Sequence, residues 1–405
     1  MIHVGIDDTD SLEGGCTTYL SSKVIEELSD LSLIGEPRLV RLNPNVPWKT
    51  RGNGAIALSF KNNTSITDKE ILSRILKIVE SESSLSSQPG IIVSRKRLPK
   101  DLYWKGVRDI LSKNTVIKII KETTFKGLRG GRGLIGAACA IAWDFKKSDT
   151  TYELLAYRKK NKWGTSRNIS QDRVNIVSTL DGVFSCLDDD GKISMVPHSP
   201  CPVLWGLRGT NPQSLMDGLN HLGPEKPEKS LLFLTNQGSD DHLQEKSLSE
   251  IKDGICIKLR GHVHSPPYAI QGGHRFFDLI DEDNDTITCA AYEPSGNFRT
   301  KVDKLVLGDS LEVCGSLSQG TLNLEKFRVT EFENRYVKPP NPSCIDCQAR
   351  MHSIGKNAGY KCRICGTKAS KPNHKSILPD LDNCWYEPPS SARRHLSRPA
   401  ALMDC

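Results

Sequence analysis

No run of the 405-residue chain is apolar enough to cross a bilayer. The longest, Leu134 to Trp143, falls well short of the roughly 20 residues a spanning helix needs. The opening Met-Ile-His-Val-Gly-Ile-Asp-Asp carries neither a basic stretch nor a long apolar one, so no signal peptide is expected and the protein is expected in the cytoplasm. With 37% hydrophobic and 25% charged residues, the chain is too polar for a membrane protein and too apolar for a disordered one. The cysteine count, 13, is odd, which argues against a secreted disulfide framework. Glycine-rich stretches occur, but no Gly-Lys-Ser/Thr follows them, which excludes a Walker A loop, and neither fits the dinucleotide fingerprint. Asp281–Asp285 lacks the glycine and terminal glutamate of an EF-hand, which excludes calcium there. No repeat of solenoid period is present.

At about 100–200 residues per domain, the length predicts two to four domains. The net charge of +7 is unevenly spread. Residues 335–405 hold twelve basic and five acidic side chains, so the remainder is neutral overall. Within that remainder, residues 94–132 hold twelve basic side chains against three acidic ones. Two separated basic regions on a mildly acidic body suit a long polyanion better than a small metabolite. Solvated surface charge is the bland alternative for either region alone.

Hydrophobic spacing predicts alternating strands and helices at the start, hence an α/β or α+β body. Strands are expected at Ile2–Ile6, Arg38–Leu42 and Ala55–Phe60, and helices at 17–28 and 68–81. Residues 107–121 have helical spacing. A small-residue helix, 137–143, follows the glycine-rich stretch 127–136. Further strands are expected at Tyr152–Tyr157, Asn175–Ser178 and Ser230–Thr235, and the charged stretch 240–252 reads as a linker. From residue 254 to 329 the pattern becomes short strands, at 255–263, 274–280, 286–291, 310–316 and 321–329, which suit an OB-fold. A proline-rich hinge, Lys338-Pro339-Pro340-Asn341-Pro342, comes next.

Cys344-x-x-Cys347 and Cys362-x-x-Cys365 lie 14 residues apart. Two such knuckles make a tetrahedral four-cysteine site, so a structural zinc is expected. Lys356, Lys361, Arg363 and Lys368 surround it, a pattern compatible with nucleic-acid binding. Asp7, Asp8 and Asp10 crowd three carboxylates behind the first strand, which a divalent cation makes tolerable, magnesium with ATP being the usual reason. A turn with helix N-cap chemistry is the alternative, but one cap needs one such side chain. Thr17 and Thr18 open the following helix, where free N–H groups favour an anion; N-capping is the simpler reading. Arg51, Gly52 and Gly54, and Arg129, Gly130, Gly131 and Gly133, are candidate ATP-binding residues, since glycine admits phosphate to the backbone. Structural turns are an equal alternative. His262 and His264 share one face of a predicted strand, an RNA-facing pair or simply a solvated face.

Gly5-Ile6-Asp7-Asp8-Thr9-Asp10-Ser11 and Cys16-Thr17-Thr18-Tyr19-Leu20 resemble the archaeal tRNA 2-agmatinylcytidine synthetases. So do the segments 201–209, Thr235-Asn236-Gln237-Gly238-Ser239-Asp240-Asp241-His242, 272–274, 291–294 and 322–326, and the tail Arg393-Arg394-His395-Leu396. Ser239 stands where the family pattern has threonine, and keeps a hydroxyl. The resemblance implies an α+β multidomain protein with a kinase-like catalytic domain (1–125), a ferredoxin-like domain (126–243), an OB-fold (253–334), a zinc ribbon (335–375) and a basic tail (376–405). It implies an ATP-dependent ligase that joins agmatine to the 2-position of the wobble cytidine of the minor isoleucine tRNA, changing decoding from AUG to AUA. It implies that Thr18 becomes phosphorylated and that Asp7, Asp8 and Asp10 are catalytic. ATP, magnesium and zinc are the expected cofactors, tRNA and agmatine the partners.

Phosphoryl transfer to the cytosine 2-oxo group would create a leaving group that an amine can displace. Agmatine's guanidinium should meet a carboxylate or an aromatic ring, and Asp181 and Trp163 are candidates. Lys356, Lys361, Arg363, Arg393 and Arg394 are candidate RNA contacts, and residues 335–405 are expected to serve tRNA affinity rather than ATP chemistry. The rival readings are a ligase that adenylates the base and a non-catalytic tRNA-binding protein.

Overall fold

The structure, a computed structural model, describes all residues except 51, 63–64, 146–149, 338–339, 356–357, 371–374 and 405. Its larger part is built on one nine-stranded sheet. In chain order the elements are β1 (Ile2–Asp7), α1 (Thr17–Glu27), β2 (Arg38–Arg41), β3 (Gly54–Phe60), α2 (Asp68–Glu82), β4 (Gly90–Ser94), α3 (Asp101–Arg108), α4 (Lys113–Ile120), β5 (Thr124–Gly127) and α5 (Leu134–Ala142). Then come β6 (Thr151–Tyr157), α6 (Gln171–Ser178), β7 (Val183–Phe184), β8 (Val203–Gly209), α7 (Pro212–His221) and β9 (Lys229–Thr235). The strand order is β5-β4-β1-β3-β2-β9-β6-β8-β7. Every pairing in it is antiparallel except one: β2 and β9 run parallel, with Arg38 opposite Leu234 and Leu39 opposite Thr235. That pair fuses two antiparallel halves into a single sheet.

Period-two alternation in β1 sends Ile2, Val4 and Ile6 to one face, where they pack with Leu20 and Val24 of α1 and Ile71, Ile75 and Val79 of α2. The opposite face carries α3, α4 and α5. Helix α5 is apolar all round, and Ala137, Ala138, Cys139, Ala140 and Ile141 are fully buried, as such a helix must be. It sits close on β1 because Gly5 has no side chain; a Cβ there would lie 2.4 Å from the Ala137 carbonyl oxygen. Helices α6 and α7 cover the second half of the sheet.

Three local expectations are corrected. The region 107–121 is two helices, because the chain is extended at Asp109 and Ser112 starts α4 by accepting a bond from the Thr115 amide. Asn175–Ser178 is the end of α6 rather than a strand: Val174 and Val177, three apart, are buried while Ile176 faces out. The stretch 240–252 is more than a linker, since it contains β10 (Leu243–Glu245), which pairs in parallel with β11 (Cys256–Val263). Glycine-flanked strands β4 and β8 carried no clean alternation in sequence because both their faces are covered.

The barrel comprises β11, β12 (Tyr268–Ala269), β13 (Arg275–Ile280), β14 (Thr286–Ala291), α8 (Phe298–Val302), β15 (Ser310–Ser318) and β16 (Thr321–Glu331). It closes where β11 meets β13, His262 opposite Ile280. Five principal strands thus form a barrel, as the strand spacing predicted. Beyond it, three short strands at His352–Ser353, Tyr360–Lys361 and Lys368–Ala369 form a small sheet, with Cys362 and Cys365 between the last two and Cys344 and Cys347 ahead of the first.

The tail does not hang free. Backbone N–H groups of Gly238 and Asp240 donate to the carbonyls of His395 and Leu396, both at 2.9 Å. Leu396 is buried in the α5 core. Lys326 of β16 is fully buried, with its ammonium 2.5 Å from Asp240 and 3.0 Å from the Arg398 carbonyl. Barrel, sheet and tail therefore meet at one charged joint. Asp240→Ala should cost about 3 kcal/mol or more by stranding the Lys326 charge, and adding Lys326→Met should recover much of it; thermal unfolding of the three proteins checks this.

Candidate active site

Strand β1 ends at the base of a cavity of about 370 Å³ between the two halves of the sheet. Asp7, Asp8 and Asp10 line it on one side. Asp8 has a positive φ of 56°, which turns the chain sharply and brings three acids into one short loop. Asp7 occupies space that Gly136 leaves free: a Cβ at Gly136 would lie 2.0 Å from Asp7 Oδ2. Burial, with Asp8 and then Asp10 adding repulsion, holds the Asp7 carboxyl well above the usual carboxylate range. Burial also raises Asp8, against the pull of Arg132, whose Nε is 3.6 Å from Asp8 Oδ2.

Helix α1 begins beside these acids. Its N-cap, Cys16, supplies no side-chain cap bond, and its first turn holds no acid. Thr17 and Thr18 line the cavity, and the Thr18 hydroxyl is 3.0 Å from Cys16 Sγ. The Thr17 hydroxyl instead accepts a bond from the Thr9 hydroxyl at 3.0 Å. The arrangement is one in which an anion gains from the helix N-terminus.

The other wall is a charged frame. Glu153 of β6 is buried, with Arg41 at 3.2 Å and Arg208 at 3.1 Å. Burial would raise the Glu153 pKa, but Arg208 and Arg41 outweigh it and hold the carboxyl below its ordinary value. Gln237 Nε2 donates to Glu153 Oε2, and Gln237 Oε1 lies 2.9 Å from His395 Nδ1. His395, from the tail, lines the cavity. Arg41, burial, and then Arg208 and Arg393 hold its imidazole well below the ordinary pKa. A second cavity of about 470 Å³ shares Ser194, Val196, Pro197, Arg208 and His395 with the first.

The structure thus brings Asp7, Asp8, Asp10, Thr18, Gly52, Gly54 and Gly133 around one space. Arg51 and Lys356 lie outside the described residues. Arg129, Gly130 and Gly131 do not line the cavity. Arg129 braces its loop, donating to the Ser87 carbonyl at 2.9 Å and to Ser83 Oγ at 2.7 Å, and the Gly130 carbonyl accepts from Lys113 at 2.7 Å. Trp163 and Asp181 are also elsewhere. Trp163 packs edge-on against Tyr19 and donates its indole N–H to the Arg158 carbonyl; Asp181 accepts from Asn211.

Lys361 and Arg363 are exposed on the cysteine module. Arg393 and Arg394 are instead internal struts. Arg393 pairs with Glu387 at 2.5 Å; Arg394 reaches Glu325 at 3.3 Å, Asn45 at 2.7 Å and Ser316 at 2.8 Å. Residues 335–405 were expected to stand apart from ATP chemistry; His395, from this stretch, lines the cavity. Sequence reasoning missed Arg41, Glu153, Arg208, Gln237, His395 and Arg132. Three of these lie inside the resemblance segments, but no spacing showed that they converge.

The four cysteines satisfy a zinc. Their sulfurs approach pairwise at 3.3, 3.4 and 3.7 Å. Bonds of about 2.3 Å in a tetrahedron require edges of about 3.8 Å. A second cluster, His242, Cys256 and Glu325, is fully buried, but Arg394 already answers the Glu325 charge. The carboxylates of Asp7, Asp8 and Asp10 do not converge within 4.8 Å as these groups do. Magnesium typically takes one or two carboxylates and completes its shell with phosphate and water, so the acids fit that ion in the company of a nucleotide.

Models of the TiaS TCKD domain, the TiaS FLD domain and the TiaS C-terminal zinc ribbon domain match residues 3–129, 131–242 and 341–378. The chain is 39% identical to the tRNA(Ile2) 2-agmatinylcytidine synthetase TiaS of Methanosarcina acetivorans over 98% of this chain and 96% of that protein. It is 37% identical to the synthetase of Methanocaldococcus jannaschii, over 100% and 99%. The chain belongs to the tRNA(Ile2) 2-agmatinylcytidine synthetase family. Solved synthetase structures agree. Apo TiaS superposes with a TM-score of 0.90 at 33% identity, covering 100% of this chain and 98% of that one. A complex of TiaS with tRNA(Ile2), AMPCPP and agmatine gives 0.84 at 31% identity, with the same coverage.

Two outcomes are expected. Asp7→Asn should raise the unfolding midpoint of the ligand-free protein at pH 7, because the wild-type carboxyl, raised in the fold, resists ionising there. The gain should vanish below about pH 4, where the group is protonated folded and unfolded alike. Thiol modification should release one zinc per chain, read with a colorimetric chelator, and Cys344→Ser should lower that stoichiometry.

Proposed function

We propose that the protein joins agmatine to the 2-position of the wobble cytidine of the minor isoleucine tRNA at the expense of ATP, through phosphoryl activation of the base. The observation that carries this reading is the juxtaposition of the Asp7/Asp8/Asp10 loop and the α1 N-terminus with the Arg41–Glu153–Arg208 frame across one cavity. In the domain division it implies, residues 1–125 are kinase-like, 126–243 ferredoxin-like, 253–334 an OB-fold and 335–375 the zinc ribbon. Residues 376–405 are the tail. The proposed function accords with solved complexes of TiaS with tRNA(Ile2) and ATP, and with tRNA(Ile2), AMPCPP and agmatine.

Phosphoryl transfer needs charge neutralisation and alignment more than covalent machinery. Asp7, Asp8 and Asp10 would hold magnesium, which when bound neutralises the phosphates. Arg132 contributes charge beside Asp8. The N–H groups at the start of α1 favour a phosphoryl group near Thr18, in keeping with phosphorylation of that hydroxyl. The target cytidine must leave its stack to enter the cavity. Lys361 and Arg363 on the zinc ribbon, with the OB-fold, are placed to hold the rest of the tRNA by backbone and shape contacts. The amine must lose a proton before it attacks, its pKa being near that of lysine, about 10.4.

Mass spectrometry of tRNA incubated with the protein, ATP and candidate amines tests activity, target base and amine together. A tRNA whose mass rises only with agmatine is the expected result. In a single turnover, label from the γ-phosphate of ATP should reach the tRNA intermediate; label from the α-phosphate would establish adenylation instead. Asp8→Ala should reduce product formation by at least about a hundredfold while the protein stays folded.

A further inference from the structure

His395 uses one ring nitrogen in the frame and leaves the other to the cavity. Glu153, held ionised by Arg208 and Arg41, can only accept hydrogen bonds. Gln237 must therefore turn its NH2 group toward Glu153, and its carbonyl oxygen then faces His395 Nδ1 at 2.9 Å. A carbonyl only accepts, so Nδ1 carries the proton. Arg41, burial, Arg208 and Arg393 keep the ring uncharged. An uncharged ring protonated at Nδ1 presents a lone pair at Nε2. That nitrogen lies over Gly52 in the cavity wall: a Cβ on Gly52 would come within 2.7 Å of it. Among the described residues it has no hydrogen-bond partner.

The chemistry of a donor that Nε2 would take from a ligand follows from the surroundings. Three guanidiniums that suppress an imidazolium also repel an ammonium or a guanidinium, so agmatine's charged ends are disfavoured beside Nε2. The donor is a neutral N–H. Cytosine and adenine each carry one as an exocyclic amino group; uracil and hypoxanthine carry a carbonyl there, whose oxygen would face the lone pair.

We propose that His395 Nε2 accepts a hydrogen bond from the exocyclic amino group of a nucleobase in this cavity, making the C-terminal tail a determinant of base specificity. This rests on the reading of the protein as an ATP-dependent tRNA-modifying enzyme. It makes His395 a specificity-determining residue and assigns it no proton transfer.

The test uses the full chain and His395→Asn. The asparagine amide stands where Nδ1 was and keeps the bond to Gln237, but nothing reaches the Nε2 position. Affinities are measured for tRNA with cytidine or uridine at the wobble position, and for ATP or ITP. The unfolding midpoint should stay at the wild-type value. One preference should fall about tenfold to a hundredfold while the other is kept. Loss of cytidine over uridine assigns the target base, and loss of ATP over ITP assigns the adenine. His395→Gln, which carries an amide out to the Nε2 position, should restore part of the loss. Retention of both preferences by His395→Asn, a parallel fall of both, or a wild-type chain with neither preference overturns the proposal. Product formation by the wild-type chain is scored separately. Wild type that modifies tRNA, beside a variant with both preferences intact, sinks this inference and leaves the functional reading standing.

Discussion

A buried, ionised carboxylate organises the centre of this protein. Glu153 sits on β6 with a guanidinium on either side, Arg41 from β2 and Arg208 from β8. An unpaired charge there would be prohibitive, so both arginines are held in place by electrostatics rather than by packing alone. They come from opposite halves of the sheet, and the parallel β2–β9 contact is what allows them to reach one acid. Gln237 extends the frame to His395. The frame then determines cavity shape, local potential and the protonation of a tail residue far away in sequence.

The opposite wall obeys a different constraint. Asp7, Asp8 and Asp10 are placed by backbone geometry and by missing side chains. Gly5 lets α5 settle on β1, and Gly136 leaves room for the Asp7 carboxyl. Asp7 and Asp8 then stand in a partly desolvated loop that disfavours their charge. An acidic wall that gains from a cation faces a wall dense in guanidinium, which gains from phosphate. The stored electrostatic cost lies where a magnesium nucleotide would relieve it.

Charge at the C-terminus carries two meanings. Lys361 and Arg363 stand exposed on the zinc module. Arg393 and Arg394 serve the interior instead: Arg393 pairs with Glu387 within the tail, Arg394 ties the tail to Glu325 of the barrel, and the Arg398 backbone N–H donates to Asp240. Lys326 joins the same knot from the barrel. The tail thereby couples the barrel to the cavity, and a tally of basic residues cannot separate struts from exposed charge.

Local chemistry was legible along the chain. The Asp7/Asp8/Asp10 loop, the Thr17–Thr18 helix start, the buried small-residue helix and the cysteine knuckles are short-range patterns, and each is dictated by neighbours within a few residues. The barrel was readable because its strands alternate and are separated by turns. What failed were signals that depend on distant partners. Asn175–Ser178 has β-like residues, yet Val174 and Val177 needed a core that β6, β8 and α7 supply. Arg129 and Arg393 were expected to meet anions, and the fold supplies each with a protein acceptor that no local pattern announces. Glu153, Arg208, Gln237 and His395 lie far apart in the chain, and a single sheet with a returning tail makes them neighbours. The sequence by itself determined which side chains can bind metal, phosphate and zinc, because those properties belong to residue types at close spacing. Only the tertiary structure decided which charges face a substrate and which are spent on one another, because pairing across the sheet depends on strand order.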